Sequence, residues 1–230
     1  MADIATEIFT LARSDRARYL CALTAPRAKR DGMLALLAFD QEIARIPTLV
    51  SEPMLGQIRL QWWIDVLPGV TGGRPPGHPV AQALADLDLS TEELRGLVEA
   101  RNFDLKQEPF TFEALCQYAE DTGGAFQVLV LKQLGVEDEQ AVAAAREIGT
   151  AKTLAAFLHT ADIEEKARNY IEQKLKSARG RIIPRKVKKA ARPALLLARL
   201  IERELRLGAG ANDLVGAVFS IWWGKKTGRF

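Results

Sequence analysis

The chain has 230 residues, 48% of them apolar, and its 32 Lys and Arg against 29 Asp and Glu leave a net charge of +3. That length suits one ordinary domain with a sizeable core, and no run of eighteen uncharged apolar residues offers a membrane span. The first twenty residues carry acids early and lack an uninterrupted apolar stretch, which speaks against a secretory signal or a transit peptide and makes the cytoplasm the simplest compartment.

Helix formers dominate and no segment has a period of two, so the expected fold is all-α. Residues 3–12 form a short helix. Ser14 and Asp15 cap a second over 16–24, which stops before Pro26. Cys21 here, like Cys116 later, lies in an apolar helical pattern and reads as a small buried hydrophobe. The third helix covers 27–46, with Leu34, Leu37 and Phe39 heading its apolar side, and Pro47 ends it. Ser51 caps the fourth, over 52–67, with Pro53 in a first turn where a missing N–H costs nothing. Along it Leu55, Ile58, Trp62 and Val66 form one apolar stripe, with Leu60, Trp63 and Leu67 beside them. Residues 68–79 hold four glycines and four prolines and read as a loop.

A short helix over 80–87 leads to one over 91–108, capped by Ser90 or Thr91 with Glu93 placed for a capping box. Thr111 opens the next, which reaches residue 134. Gly123 and Gly124 sit inside it at a cost of roughly 1 kcal/mol each against Ala, so a packing or ligand reason is expected. Over 137–160 the face Ala144, Ile148, Ala151, Ala155, Leu158 permits close helix contact. Residues 166–192 hold eleven Lys or Arg against the single acid Glu172. That segment, broken at Gly180 and Pro184, is strongly positive while the rest of the chain is negative, an asymmetry suited to an anionic partner. A helix over 190–207 has Pro193 in its first turn, and the chain closes with DLVGAVFSIWWGKKTGRF. His78 and His159 have no zinc spacing.

ALLAFDQEIARI followed by VSEPMLGQIRLQWWIDVL resembles the opening of the squalene/phytoene synthase superfamily. The branch most similar holds a mitochondrial respiratory complex I assembly factor and its bacterial relatives. The resemblance covers about residues 15–165 and implies a single-domain, isoprenoid-synthase-like helical bundle over 1–230. Asp104, in ARNFDL, falls at the aspartate of the family's GMxxDL. In YAEDTGGAF, Tyr118 falls at the tyrosine of YCYRVAGxVG and Gly123–Gly124 at its Ala-Gly pair.

Such synthases join two allylic diphosphates head to head, and Mg²⁺ held by carboxylates neutralises the leaving group. Against the first acidic motif, YAFCRxxDDxxD, this chain reads LAFDQEIARIPT, with Ala44, Arg45 and Thr48 at the metal positions. At the second, Thr160 and Ile163 replace two acids; Glu164 alone remains and Asp162 is out of register. The resemblance therefore implies a non-catalytic member with no metal and no cofactor, serving assembly of respiratory complex I or a similar membrane complex. It would bind a protein partner or a prenyl lipid. The alternative is a Mg²⁺-dependent prenyl transferase using relocated acids such as Asp40, Asp104, Asp162 and Glu164.

Asp40, Glu42 and Arg45 either line a polar pocket or form an ion-pair network at a helix interface. Arg59 interrupts the apolar faces of the fourth helix and joins them as a cavity or partner candidate. Trp62 and Trp63 are adjacent, so one belongs to the core and the other faces a cavity or partner. Tyr118, Gly123 and Gly124 either floor the central cavity, as the resemblance implies, or permit a close helix crossing. Lys186, Lys188 and Lys189, with Trp222 and Trp223, suit either a solvated face or an anionic membrane surface, peripheral on the inner membrane and in the mitochondrial matrix if the source is eukaryotic. No nucleic-acid module accompanies the charge.

Overall fold

A computed structural model describes residues 4–106, 109–160, 162–208, 214–228 and 230. Among them there is no strand, and thirteen α-helices follow one another. They fall into two compact units, one of residues 1–19 and 26–109, the other of residues 20–25 and 110–230.

In the first unit α1 (Ile4–Ala12) and α5 (Pro79–Ala85) pack on α3 (Arg27–Ala44), while α5 and α6 (Thr91–Ala100) pack on α4 (Pro53–Thr71). Every residue from 32 to 40 of α3 is buried, so this helix is enclosed on all sides. Its side chains Leu34, Leu36, Leu37, Phe39 and Ile43 are among the largest fully buried side chains of the unit. The chain leaves α3 through a 3₁₀ turn, Ile46–Leu49, in which Pro47 occupies a first-turn position. A second 3₁₀ turn, Arg101–Leu105, continues α6, and Gly56 on α4 leaves room for the side chain of its Leu105.

Three expectations are corrected here. The buried stripe of α4 is Gly56, Leu60, Trp63, Leu67 and Val70, whereas Leu55, Ile58 and Trp62 face outward. The helix has two apolar stripes, and contacts from α5 and α6 select between them. It also runs through Pro68 to Thr71, because burying Leu67 and Val70 offsets the hydrogen bond that proline cannot make. Neither expected serine cap forms: α4 begins behind Glu52, not Ser51, and Ser90 precedes α6, both without a side-chain cap.

The second unit is organised on α9 (Glu139–Ala155), whose N-cap Asp138 accepts from Ala141 N–H at 2.9 Å. Around α9 pack α7 (Phe112–Ala119), α8 (Ala125–Gln133), α10 (Glu164–Gly180), α11 (Arg185–Leu195) and α12 (Leu197–Leu207). Thr111 caps α7 by accepting from Ala114 N–H at 3.1 Å. Between α7 and α8 the helix passes without a break through one π turn, Glu120–Gly124. Residue 196 separates α11 from α12, so Pro193 lies inside α11 and not in the first turn of one long helix. Leu195, Leu196 and Leu197 are all fully buried, and apolar contact on every side holds that turn. The last helix, α13 (Leu214–Thr227), packs on α12. α2 (Arg16–Ala22) opens with the carboxylate of Asp15 accepting from Arg18 N–H at 3.0 Å.

Candidate functional site

Asp40 stands in the enclosed part of α3, 1% exposed, where an unpaired carboxylate would be prohibitive. Two guanidinium groups meet it. Arg101 Nη2 donates to its Oδ1 at 2.7 Å, and Arg18 Nη1 donates to its Oδ2 at 3.3 Å. Arg101 Nη1 also reaches Asp104 Oδ2 at 3.4 Å, and Arg18 Nη1 reaches Asp15 Oδ2 at 3.3 Å. The result is an alternating row of three carboxylates and two cations, drawn from the start of α2, the middle of α3 and the 3₁₀ turn after α6. Asp104 thus enters the row through Arg101. Asp15, Arg18 and Arg101 were not among the expected site residues. Their one sequence signal is the i, i+3 spacing of Asp15 with Arg18 and of Arg101 with Asp104.

Glu42, two residues beyond Asp40, serves a different cluster, as helical geometry requires. Its Oε2 lies 2.5 Å from Arg45 Nη2, and its Oε1 lies 3.9 Å from His78 Nε2. The imidazole packs against both tryptophans, 5.5 Å from the Trp62 ring and 5.1 Å from that of Trp63. Trp63 is buried edge-on against Phe39 at 5.2 Å, while Trp62 remains exposed. Arg59 is exposed on α4.

In the second unit Tyr118 is buried, with its ring edge-on to Phe157 at 6.4 Å. Gly123 and Gly124 lie in the π turn against the α9 backbone. A methyl group on Gly123 would overlap the Gly149 carbonyl and the Thr153 hydroxyl, and one on Gly149 would overlap the Gly123 carbonyl. This pair of glycines therefore permits a close helix crossing. Nearby, burial and Glu113 push the Cys116 thiol up, which leaves it a poor nucleophile.

Much of the basic segment is committed to internal acids. Lys174 pairs with Glu120 at 3.9 Å, Arg181 with Glu147 at 2.7 Å, and Arg179 with Glu202. Burial, with Arg199 and Arg206 nearby, pulls the Arg179 guanidinium down from its ordinary value. Lys186 and Lys189 are exposed, and Lys188 stands over the Phe230 ring at 4.6 Å. Trp222 and Trp223 are exposed on α13.

The positions where Mg²⁺ is implied do not suit it. Ala44 ends α3, Arg45 brings a cation, and the Thr48 hydroxyl donates to the Arg45 carbonyl at 2.7 Å. Thr160 is exposed, and Glu164 pairs with Arg168 at 3.3 Å. Asp40 and Asp104 are neutralised by arginines. Among the described residues no three His, Cys, Asp or Glu are grouped to hold a metal. A cation that demands near-octahedral oxygen ligation finds no carboxylate set at these places. Among the same residues no helix is long and apolar enough to cross a membrane.

A family model described as squalene/phytoene synthase matches residues 11–213. The complex I assembly factor 6 proteins of Bos taurus and Homo sapiens are each 32% identical over 153 residues, covering 64% of this chain and 46% of theirs. A Drosophila melanogaster homologue is 30% identical over 156 residues, with 47% of its length covered. The chain thus spans about half the length of the curated relatives it matches. Among solved structures, a dehydrosqualene synthase superposes with TM-score 0.73 at 16% identity, over 98% of this chain and 97% of its own. A squalene synthase from Alicyclobacillus acidocaldarius gives 0.58 at 18%, over 100% and 98%. At such identities these two establish the fold.

Proposed function

Since the chain belongs to the squalene/phytoene synthase family, we propose that it is a non-catalytic member serving assembly of respiratory complex I or an equivalent membrane complex. It acts by holding a protein partner or a prenyl lipid, peripheral on the inner membrane, and it uses no metal cofactor. One observation carries this reading: acids are missing at Ala44, Arg45, Thr48, Thr160 and Ile163, and of the nearby carboxylates Asp40 pairs with Arg18 and Arg101 and Glu164 with Arg168. Head-to-head condensation needs several oxygens fixed around the leaving group, and misplacing one already costs orders of magnitude in rate. The names of the relatives point the same way, toward assembly.

The test is incubation with farnesyl or geranylgeranyl diphosphate and Mg²⁺, followed by extraction and mass spectrometry. No head-to-head product is expected, and deletion of the gene should lower assembled complex I. Turnover that disappears in Asp104→Ala or Glu164→Ala would identify a prenyl transferase with relocated acids.

A further inference from the structure

We propose that the outer face of α13, together with the exposed basic side of α11, docks on an anionic lipid bilayer. This deepens the reading that the chain serves a membrane complex, and it stands on a separate observation. Val215, Val218, Phe219, Trp222 and Trp223 are 81%, 48%, 60%, 50% and 45% exposed. Their spacing, i, i+3, i+4, i+7 and i+8, makes one continuous stripe, and Lys226 at i+11 ends it. The three aromatic rings cluster with centroids 5.8 to 6.3 Å apart, and Lys226 Nζ lies 5.2 Å from the Trp222 ring. An exposed apolar patch of this kind marks an interaction surface.

The back of the helix is already occupied. Ile221 and Gly224 are buried, Arg199 Nε donates to the Ser220 carbonyl at 3.1 Å, and Arg192 Nη1 donates to the Lys225 carbonyl at 2.9 Å. The stripe, by contrast, keeps about half or more of each side chain open to solvent in the described fold.

Charge decides the occupant. The bond from Arg192 brings α11 beside the last turn of α13, and α11 presents Arg185, Lys186 and Lys189 to solvent. Neither helix contains an acid. The two acids of α12 are paired, Glu202 with Arg179 and Glu204 with Lys152. Aromatic rings beside lysines with no acid among them match a headgroup layer, where indoles sit at the interface and ammonium groups reach anionic phosphates. A helix of 14 residues is too short to span and lies in the interface plane.

The experiment is flotation of the whole chain with vesicles of phosphatidylcholine alone and with phosphatidylglycerol added, across a salt series. Binding to the anionic vesicles is expected, decaying as salt rises and the Debye length shortens. Lys186→Gln/Lys189→Gln/Lys226→Gln should weaken it by about fivefold per lysine. Trp222→Ala/Trp223→Ala should abolish the part that survives high salt, with circular dichroism unchanged. Equal flotation with both vesicles, or none with either, overturns the proposal. So does a dimer in sedimentation that the tryptophan variant dissolves, since a second copy would then cover the stripe. Flotation requires no assembly partner, so its failure leaves the assembly reading intact. Head-to-head product from a chain that floats would remove the assembly reading alone.

Discussion

Asp40 is held by two arginines that are themselves nearly buried, with side chains 9% and 11% exposed. Removing its charge takes from each its shared central carboxylate, leaving Arg18 with Asp15 and Arg101 with Asp104 at the ends of the row. Asp40→Asn should therefore cost about 3–5 kcal/mol, read as a fall in the urea midpoint. Arg45→Ala, which removes a half-exposed guanidinium from the buried Glu42, should cost less, about 1 kcal/mol. Replacing the trio together by Leu and two Met should recover most of the loss, because burying apolar groups avoids the desolvation of three ions. An Asp40→Asn midpoint equal to wild type would mean that the row contributes nothing. The acid itself was legible, an odd carboxylate in an apolar helix. Its partners were not, since Arg18 and Arg101 lie 22 and 61 residues away and only folding brings them together. His78 was hidden for the same reason: a Gly- and Pro-rich stretch says loop, and the contact with Trp62 and Trp63 comes from the path that loop takes.

Helices were largely legible, because caps and prolines act locally. Asp15, Thr111 and Gly135 end or begin elements as their chemistry requires, Gly135 with φ +78°. The choice between the two stripes of α4, the survival of α4 through Pro68 and the turn at Leu196 depend on neighbours and could not be read from periodicity. The glycine pair shows how an element-scale detail becomes an energetic one. The π turn brings its backbone onto α9, so Gly149→Ala must force two helices apart. Overpacking of this sort costs about 1–3 kcal/mol, and the helix propensity gained by alanine, roughly 1 kcal/mol, cannot cover the upper part of that range. Gly96, which meets nothing nearby, should gain from the same change. Thermal melts of the two variants should move in opposite directions. A Gly149→Ala protein as stable as wild type would show that the crossing relaxes freely.

At the scale of the molecule, charge is distributed unevenly, with 12 Lys and Arg against 15 Asp and Glu in the residues of the first unit and 20 against 14 in those of the second. The family was legible because SEPMLGQIRLQWW is long and specific. What the family's chemistry becomes here was legible only as missing acids; the structure adds that Asp40, Asp104 and Glu164 pair with arginines. That makes a ligand measurement decisive. A ligand present at a hundred times its dissociation constant stabilises the native state by about 2.7 kcal/mol, some 5–10 °C in a chain of this size. Mg²⁺ alone should leave the melting temperature unchanged. A prenyl diphosphate alone can still raise it through the cationic surface, and that rise should vanish with added salt. The informative case is the combination. A metal-dependent diphosphate site binds both together or neither well, so its signature is a salt-resistant increase that appears only when both are present. Its absence is the expected outcome. Its presence, lost again on removing Asp104 or Glu164, would mean that the arginine partners yield to the metal and that a diphosphate–metal site survives, against the non-catalytic reading.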